Sequence, residues 1–198
     1  MIEYRNGSNK AVVVIHEIYG INNHIEKVSI GLSKLGFDVF VPDMLGDKQV
    51  FDYAEESSAY SNFMDNVGFV KASNLIISCL HSIRDRYEKV YVLGFSVGAT
   101  VAWLCAGEHS LCDGVAGLYG SRIRDYLSAT PSCPVLLLFP QKEKSFNVDD
   151  LIDTLDKMDS VHAEKLSGNH GFADPFSRNY NEDSFILARD KVLDFILP

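Results

Sequence analysis

The residues of this chain best suited to chemistry are a serine, a carboxylate and a histidine spread over three segments. Ser96 lies in VYVLGFSVGA, residues 90–99, at the centre of Gly94-Phe95-Ser96-Val97-Gly98. The apolar run Val90 to Leu93 reads as a short buried strand, and Ala99 to Ala106 has helical character. G-x-S-x-G between a strand and a helix marks a turn tight enough to project the serine hydroxyl from the sheet edge. Glycines flank it because a Cβ at either place would collide where helix and strand cross. An ordinary glycine-rich connection would carry the same letters and an inert serine.

A serine hydroxyl is a weak nucleophile near neutral pH and needs a base to take its proton. Of the six histidines, His170 fits that role, in the glycine-flanked loop Gly168-Asn169-His170-Gly171-Phe172 after the last predicted strand. An imidazole with an unperturbed pKa of about 6.5 is largely neutral there yet able to accept a proton. His16 precedes the nucleophile and reads as a support for its own loop. His24, His81, His109 and His162 fall in helices, turns or strand starts and read as structural or exposed.

The acid that orients the imidazole should lie between Ser96 and His170. Glu143 comes four residues after a predicted strand end at Phe139, at the start of a loop. Asp149 is the alternative, although an acid just before Leu151 more naturally caps a helix or favours its N-terminal dipole. For the oxyanion, position selects the backbone amides of Val97 and Ile18. The loop His16–Gly20 has no glycine pair, and Glu17 stands out in it as a carboxylate close to the serine.

These segments need a frame. Ala11 to Ile15 is a continuous apolar run, the mark of a central strand covered on both faces. Asn22 or Asn23 can cap a helix with apolar positions Ile25, Val28, Leu32 and Leu35, stopped by Gly36. Phe37 to Val41 is the next strand. Residues 44–66 are polar and weakly periodic, an excursion above the sheet with one short helix. Phe69 to Tyr87 marks a longer helix leading into the strand before Ser96. Strands follow at Gly114–Tyr119, Pro134–Phe139 and Val161–Leu166, with helices around Leu151–Met158 and Phe185–Phe195. Strands alternating with helices at these lengths predict one α/β domain over residues 1–198, with a mostly parallel sheet and helices on both faces. Ligands bind such sheets beyond the strands' carboxyl ends, where His16 to Ile18, Ser96, Tyr119 to Arg122 and Gly168 to Phe172 all fall.

Composition narrows the partners. At 198 residues, 46% hydrophobic and 23% charged, the chain suits one soluble domain. A net charge of −9 without a basic cluster argues against nucleic acid or an anionic membrane. The N-terminus MIEYRNGSNK has no apolar signal-peptide core, and no run approaches a membrane span. Cys79, Cys105, Cys112 and Cys133 show neither C-x-x-C spacing nor zinc-type pairing with histidine, so free thiols, no metal, no cofactor and a cytoplasmic location are expected.

From about Val12 to its C-terminus the sequence resembles the dienelactone hydrolase family of α/β-hydrolase-fold proteins. The likeness rests on Val13 to Ile15 with Glu17-Ile18-Tyr19-Gly20, Gly36-Phe37 through Pro42-Asp43, Gly94 to Gly98, Pro134 to Phe139, and His170-Gly171-Phe172 before a C-terminal helix. It implies a compact α/β-hydrolase fold without a large lid domain, Ser96 as nucleophile, His170 as base, Glu143 at the place of the family's aspartate, and Ile18 and Val97 as oxyanion donors. Glu17 matches the glutamate that, in cysteine members, interacts with the resting nucleophile. Three departures stand out: serine replaces the cysteine of the dienelactone-opening enzymes, glutamate replaces aspartate, and Phe172-Ala173-Asp174 stands where those enzymes carry a substrate-binding arginine.

The expectation is a serine hydrolase that cleaves a small carboxylic ester or lactone through an acyl-enzyme, working as a monomer or small homo-oligomer. Tyr19, Tyr119, Arg122 and Arg178 join Glu17 as substrate-site candidates, although either arginine could be a solvated surface charge. The same apparatus would serve a thioesterase. A non-catalytic binding or regulatory module that keeps the fold is the rival from another class.

Overall fold

A computed structural model describes residues 1–197. The run Ala11 to Ile15 forms strand β2 (Lys10–Ile15), and its five apolar side chains are inaccessible to water. Both faces of such a strand can be covered only inside a sheet with helices above and below. β2 pairs in parallel with β3 (Asp38–Val41) on one side and β4 (Lys89–Phe95) on the other. Beyond β4 the sheet continues, also parallel, through β5 (Gly114–Leu118), β6 (Val135–Lys142) and β7 (Val161–Asn169). A strand that sequence reading does not find, β1 (Ile2–Tyr4), pairs antiparallel with β3. Three residues with a charge in the middle carry no period to detect. The order is β1-β3-β2-β4-β5-β6-β7.

Successive side chains of β2 point to opposite faces, and two apolar layers result. Val12 and Val14 pack with α1 (Asn23–Lys34) and α6 (Glu182–Ile196) on one face. Val13 and Ile15 pack on the other with α2 (Glu56–Asn62), α3 (Gly68–Ile83), α4 (Val97–Cys105) and α5 (Val148–Leu155). Trp103 of α4 is wholly buried there, with its indole N–H donated to the Tyr126 carbonyl at 3.0 Å. This is a compact α/β-hydrolase fold, with no large lid domain among the described residues.

The details revise several expected boundaries. Asn22 caps α1, accepting the Ile25 N–H at 3.2 Å. The excursion does contain a short helix, α2, but a π-type turn at Phe63–Val67 joins it directly to α3. The α3 helix stops at Ile83 rather than Tyr87. A tight 3-10 turn, Arg84–Arg86, follows, and Tyr87 is extended so that its hydroxyl donates to Asp38 at 2.7 Å. The cap of α5 is Asn147, not Asp149, which sits in the first turn of the helix. β6 and β7 each run three residues past the expected ends, to Lys142 and Asn169, which matters for the site.

Cys105, Cys112 and Cys133 are buried, Cys79 is partly so, and all four are free thiols. Among the described residues no helix is long and apolar enough to cross a membrane, and no cluster of three or more His, Cys, Asp or Glu could hold a metal ion.

Candidate active site

The strand register assembles the site. Ile15 of β2 lies opposite Gly94 of β4, and Gly94 opposite Gly117 of β5. Two residues further along each strand come Glu17, Ser96 and Tyr119, side by side at the carboxyl edge. On β6 and β7, Lys142 is paired with Asn169 across an irregularity in the ladder, so the next residues, Glu143 and His170, emerge together. Glu143 therefore stands at the end of an extended strand and not in a loop opening after Phe139. The strand continues because β7 lengthens to match it.

Ser96 occupies the tight turn between β4 and α4 with φ 53° and ψ −116°, a left-handed conformation costly for any residue with a Cβ. Its amide donates to the Leu118 carbonyl at 2.9 Å, and its carbonyl accepts from Ala99 and Thr100 at 3.1 and 3.2 Å. The neighbouring chain explains the two glycines. A Cβ on Gly94 would lie 2.2 Å from the Gly98 carbonyl oxygen, and one on Gly98 would lie 2.4 Å from that of Ile15.

The Ser96 Oγ is 2.8 Å from Nε2 of His170. On the other edge of the ring, Nδ1 is 2.7 Å from Oε1 of Glu143. Glu143 can only accept when ionised, so Nδ1 carries the proton and the Nε2 lone pair faces the serine hydroxyl. The Asn179 amide holds the His170 carbonyl at 2.8 Å. Tyr119, wholly buried, lays its ring 5.0 Å from the imidazole. Burial disfavours the imidazolium, but the bonded Glu143 carboxylate, with Glu17 and Glu56 behind it, outweighs that and leaves the His170 pKa raised. Asp149, the other acid considered, is ion-paired to Lys165.

Val97 is the first residue of α4, and its N–H has no intrahelical acceptor. The Ile18 amide, in the turn after β2, donates to no other group of the described protein. That turn is fixed by His16, wholly buried. Its Nε2 accepts the Met44 N–H at 2.9 Å, so Nδ1 carries the hydrogen and donates to the Glu17 carbonyl at 2.6 Å. Burial lowers the His16 pKa against the pull of that carbonyl and of Asp43, which keeps the ring neutral, as a supporting role requires.

Glu17 is 5% exposed. Burial, then the charge of Asp174, pushes its carboxyl up to about 7, against the opposing influence of His170 and Tyr119. The Tyr119 hydroxyl approaches Glu17 without completing a hydrogen bond. Asp174, 1% exposed, accepts the Tyr53 hydroxyl and, at 2.8 Å, the Phe176 N–H. Asn22 donates in turn to Tyr53 at 3.0 Å, and Tyr19 packs on the Tyr53 ring with centroids 4.7 Å apart. This second buried carboxylate and its tyrosine escape sequence reading. The available signal was an aspartate set among apolar neighbours, Phe172-Ala173-Asp174-Pro175-Phe176, an unusual setting for a solvated loop.

The arginines are committed elsewhere. Arg122 donates to the Tyr60 hydroxyl and to Asp125, the latter at 3.1 Å. Arg178, with a side chain 82% exposed, comes no nearer than 3.9 Å to Glu56. The groups packed behind the serine are thus acidic and phenolic.

Comparison with known proteins agrees with this architecture. The family model described as the dienelactone hydrolase family matches residues 2–197. The uncharacterized protein YczH of Bacillus subtilis (strain 168) is 39% identical over 176 residues, 88% of this chain and 86% of that one. A Bradyrhizobium protein named as a probable 2-oxo-3-(5-oxofuran-2-ylidene)propanoate lactonase is 32% identical over 132 residues, 65% of this chain and 52% of its own length. The crystal structure of a dienelactone hydrolase-like promiscuous phosphotriesterase from metagenomic libraries superposes with a TM-score of 0.77 at 21% identity, over 97% of this chain and 87% of that one. At that identity the likeness is one of fold.

Proposed function

The chain belongs to the dienelactone hydrolase family, and from that premise we propose that it is a serine hydrolase acting on a small, uncharged carboxylic ester or lactone. The observation that carries the reading is the unbroken relay from Glu143 Oε1 through both nitrogens of His170 to the Ser96 hydroxyl, at 2.7 and 2.8 Å.

In this reading the Ser96 oxygen attacks the substrate carbonyl carbon while Nε2 of His170 takes the hydroxyl proton. Glu143 holds the ring in the tautomer that leaves Nε2 free and stabilises the imidazolium that forms. The negative charge on the carbonyl oxygen is met by the Val97 and Ile18 amides, each such donor typically worth about 3–4 kcal/mol to the transition state. Collapse of the tetrahedral adduct breaks the acyl C–O bond, and His170 returns its proton to the departing alkoxide, which stays tethered when the substrate is a lactone. Water, deprotonated by the same imidazole, then attacks the acyl-enzyme, and the carboxylic acid leaves as Ser96 recovers its proton.

The uncharged substrate follows from electrostatics. Glu17, Glu143 and Asp174 line the back of the site, and both nearby arginines are engaged or solvated. A carboxylate on the substrate would meet the like charge packed behind the serine. The test is labelling by a fluorophosphonate together with hydrolysis of p-nitrophenyl acetate. Labelling should vanish in Ser96→Ala and fall sharply in His170→Ala. Absence of labelling in the folded native protein would instead identify a module that keeps the fold without turnover.

A further inference from the structure

On the face of the sheet covered by α1 and α6, the two helices stand apart and enclose a groove of about 510 Å³, within the size range of small-molecule sites. Leu93 and Phe95 of β4 and Leu118 of β5 form its floor. Val28 and Leu32 of α1, with Leu35 at its C-terminal end, wall it on one side, and Phe185, Val192 and Leu193 of α6 on the other. Neither Ser96 nor His170 nor Glu143 lines it.

Two of its polar side chains, His24 and Lys27, lie toward the start of α1. His24 lines the groove, is 1% exposed, and has no hydrogen-bond partner at either ring nitrogen. Its ring stands edge-on to Phe95, centroids 4.8 Å apart, and Nδ1 is 3.7 Å from Asp174, too far for a hydrogen bond. A buried imidazole with both nitrogens unpartnered is uncommon and calls for an explanation. Lys27 lines the same end; burial holds the His24 pKa down, the nearby Asp174 carboxylate opposes that, and the smaller effect of the Lys27 charge adds to burial. Its ammonium sits 5.8 Å from the centre of the Phe176 ring and is paired with no carboxylate of the described residues. Arg189, the other cation of the rim, is held by Asp190 at 2.9 and 2.7 Å.

The groove also contains a glycine that the protein's own packing does not require. Gly31 lies inside α1, where glycine weakens a helix, yet a Cβ there would meet nothing within 4 Å.

We propose that this groove binds a medium-chain alkanoic acid. Its carboxylate would take the Lys27 ammonium and an N–H of His24, and its chain would lie between α1 and α6 over Leu93 and Leu118. The complementarity selects this occupant: one unpaired cation and one buried unpaired donor at a single end, and leucine, valine and phenylalanine side chains along the floor and walls, with the Arg189–Asp190 pair at the rim. The site is independent of the hydrolytic reading.

Calorimetric titration of the full chain with decanoate and with 1-decanol tests the proposal. Decanoate should bind saturably, one per chain, and at least tenfold more tightly than decanol. Ser96→Ala should leave that binding unchanged, separating it from occupancy of the serine site by a carboxylic acid product. Gly31→Phe, which fills the groove, and Lys27→Glu, a surface change, should each weaken decanoate at least tenfold while the far-ultraviolet spectrum and melting temperature confirm folding. Should Gly31→Phe not fold, Leu35→Glu, at a half-exposed position of the apolar end, should weaken it likewise. Binding that survives these groove variants, is lost in Ser96→Ala, or is equal for decanol would overturn the assignment. So would a stable dimer whose formation shields the groove and leaves decanoate without effect.

Discussion

Glu143 and His170 are each the first residue beyond a paired couple, Lys142 on β6 and Asn169 on β7. Neighbouring strands lie about 4.8 Å apart, a gap that two side chains leaning toward each other close to the observed 2.7 Å. Strand pairing, rather than the chance conformation of a loop, thus sets the carboxylate against the imidazole. Glu143 is largely shielded, with a side chain 8% exposed, which strengthens the contact relative to a solvated pair.

Replacing Glu143 by glutamine keeps the shape but offers an amide where the ring needs an acceptor, and it can favour the tautomer with the proton on Nε2. By analogy with other triads, kcat for p-nitrophenyl acetate should fall by roughly 10²–10⁴-fold with little change in KM. Glu143→Asp, one methylene short of the contact, should recover part of the loss. Asp149→Asn, which alters only an ion pair to Lys165, should be neutral. A steady-state comparison of the three variants decides between the two acids; full activity in Glu143→Gln would remove Glu143 from the relay.

The serine turn was legible in the sequence because its causes are local: Gly94 and Gly98 are dictated by close backbone approach, and strand and helix signals flank them. The β2 core strand was legible for the same reason. The extension of β6 to Lys142 was not, since it depends on a partner, β7, that lies nineteen or more residues away and carries polar residues such as Lys165 and Ser167. The Tyr53–Asp174 contact spans 121 positions and has no local signature at all. His16 could be read as a support, but which nitrogen carries its proton emerged only from the Met44 amide it accepts.

The backbone at Ser96, φ 53°, holds strain that a Cβ makes worse. Such conformations cost about 1–3 kcal/mol each. Ser96→Gly should relieve part of this, offset by the greater freedom of glycine in the unfolded chain, for a net gain of about 1 kcal/mol. Ser96→Ala should show no comparable gain, because its Cβ remains. Urea unfolding at constant m measures both, and equal stabilities for the two variants would show that the turn is unstrained.

His16 connects stability to the oxyanion donor. In His16→Ala the Met44 N–H loses its partner while the Glu17 carbonyl keeps only the Gly20 N–H at 3.3 Å, a loss of about 1–3 kcal/mol for the one group left unsatisfied. The same change frees the turn that presents the Ile18 amide, so kcat should fall while KM moves little. Chemical denaturation and steady-state kinetics at a temperature where the variant is still folded separate the two effects. An intact kcat would mean that the Ile18 turn is held by other contacts.

Glu17 links pH to both stability and rate. Its carboxyl is raised from an ordinary value of 4.5 to about 7 by burial and by the charge of Asp174. In the unfolded chain it would release its proton near 4.5, so between that pH and about 7 the folded state binds more protons. The contribution is therefore favourable at low pH and is lost as pH rises through about 7, a change on the order of 3 kcal/mol. Glutamine mimics the neutral acid and does not ionise, so Glu17→Gln should gain stability over the native protein at pH 8 and little at pH 5. The rate carries a second signature. Ionised Glu17 is one of the charges that raise the His170 pKa, and His170 must be neutral to accept the serine proton. Without that charge the imidazole deprotonates more readily, and the acid limb of kcat/KM should shift to lower pH in Glu17→Gln. A stability gain with an unmoved acid limb would leave Glu17 as a buried acid that strains the fold without reaching the base. A moved limb would make it a positioning residue that tunes His170 through the field it projects across the site.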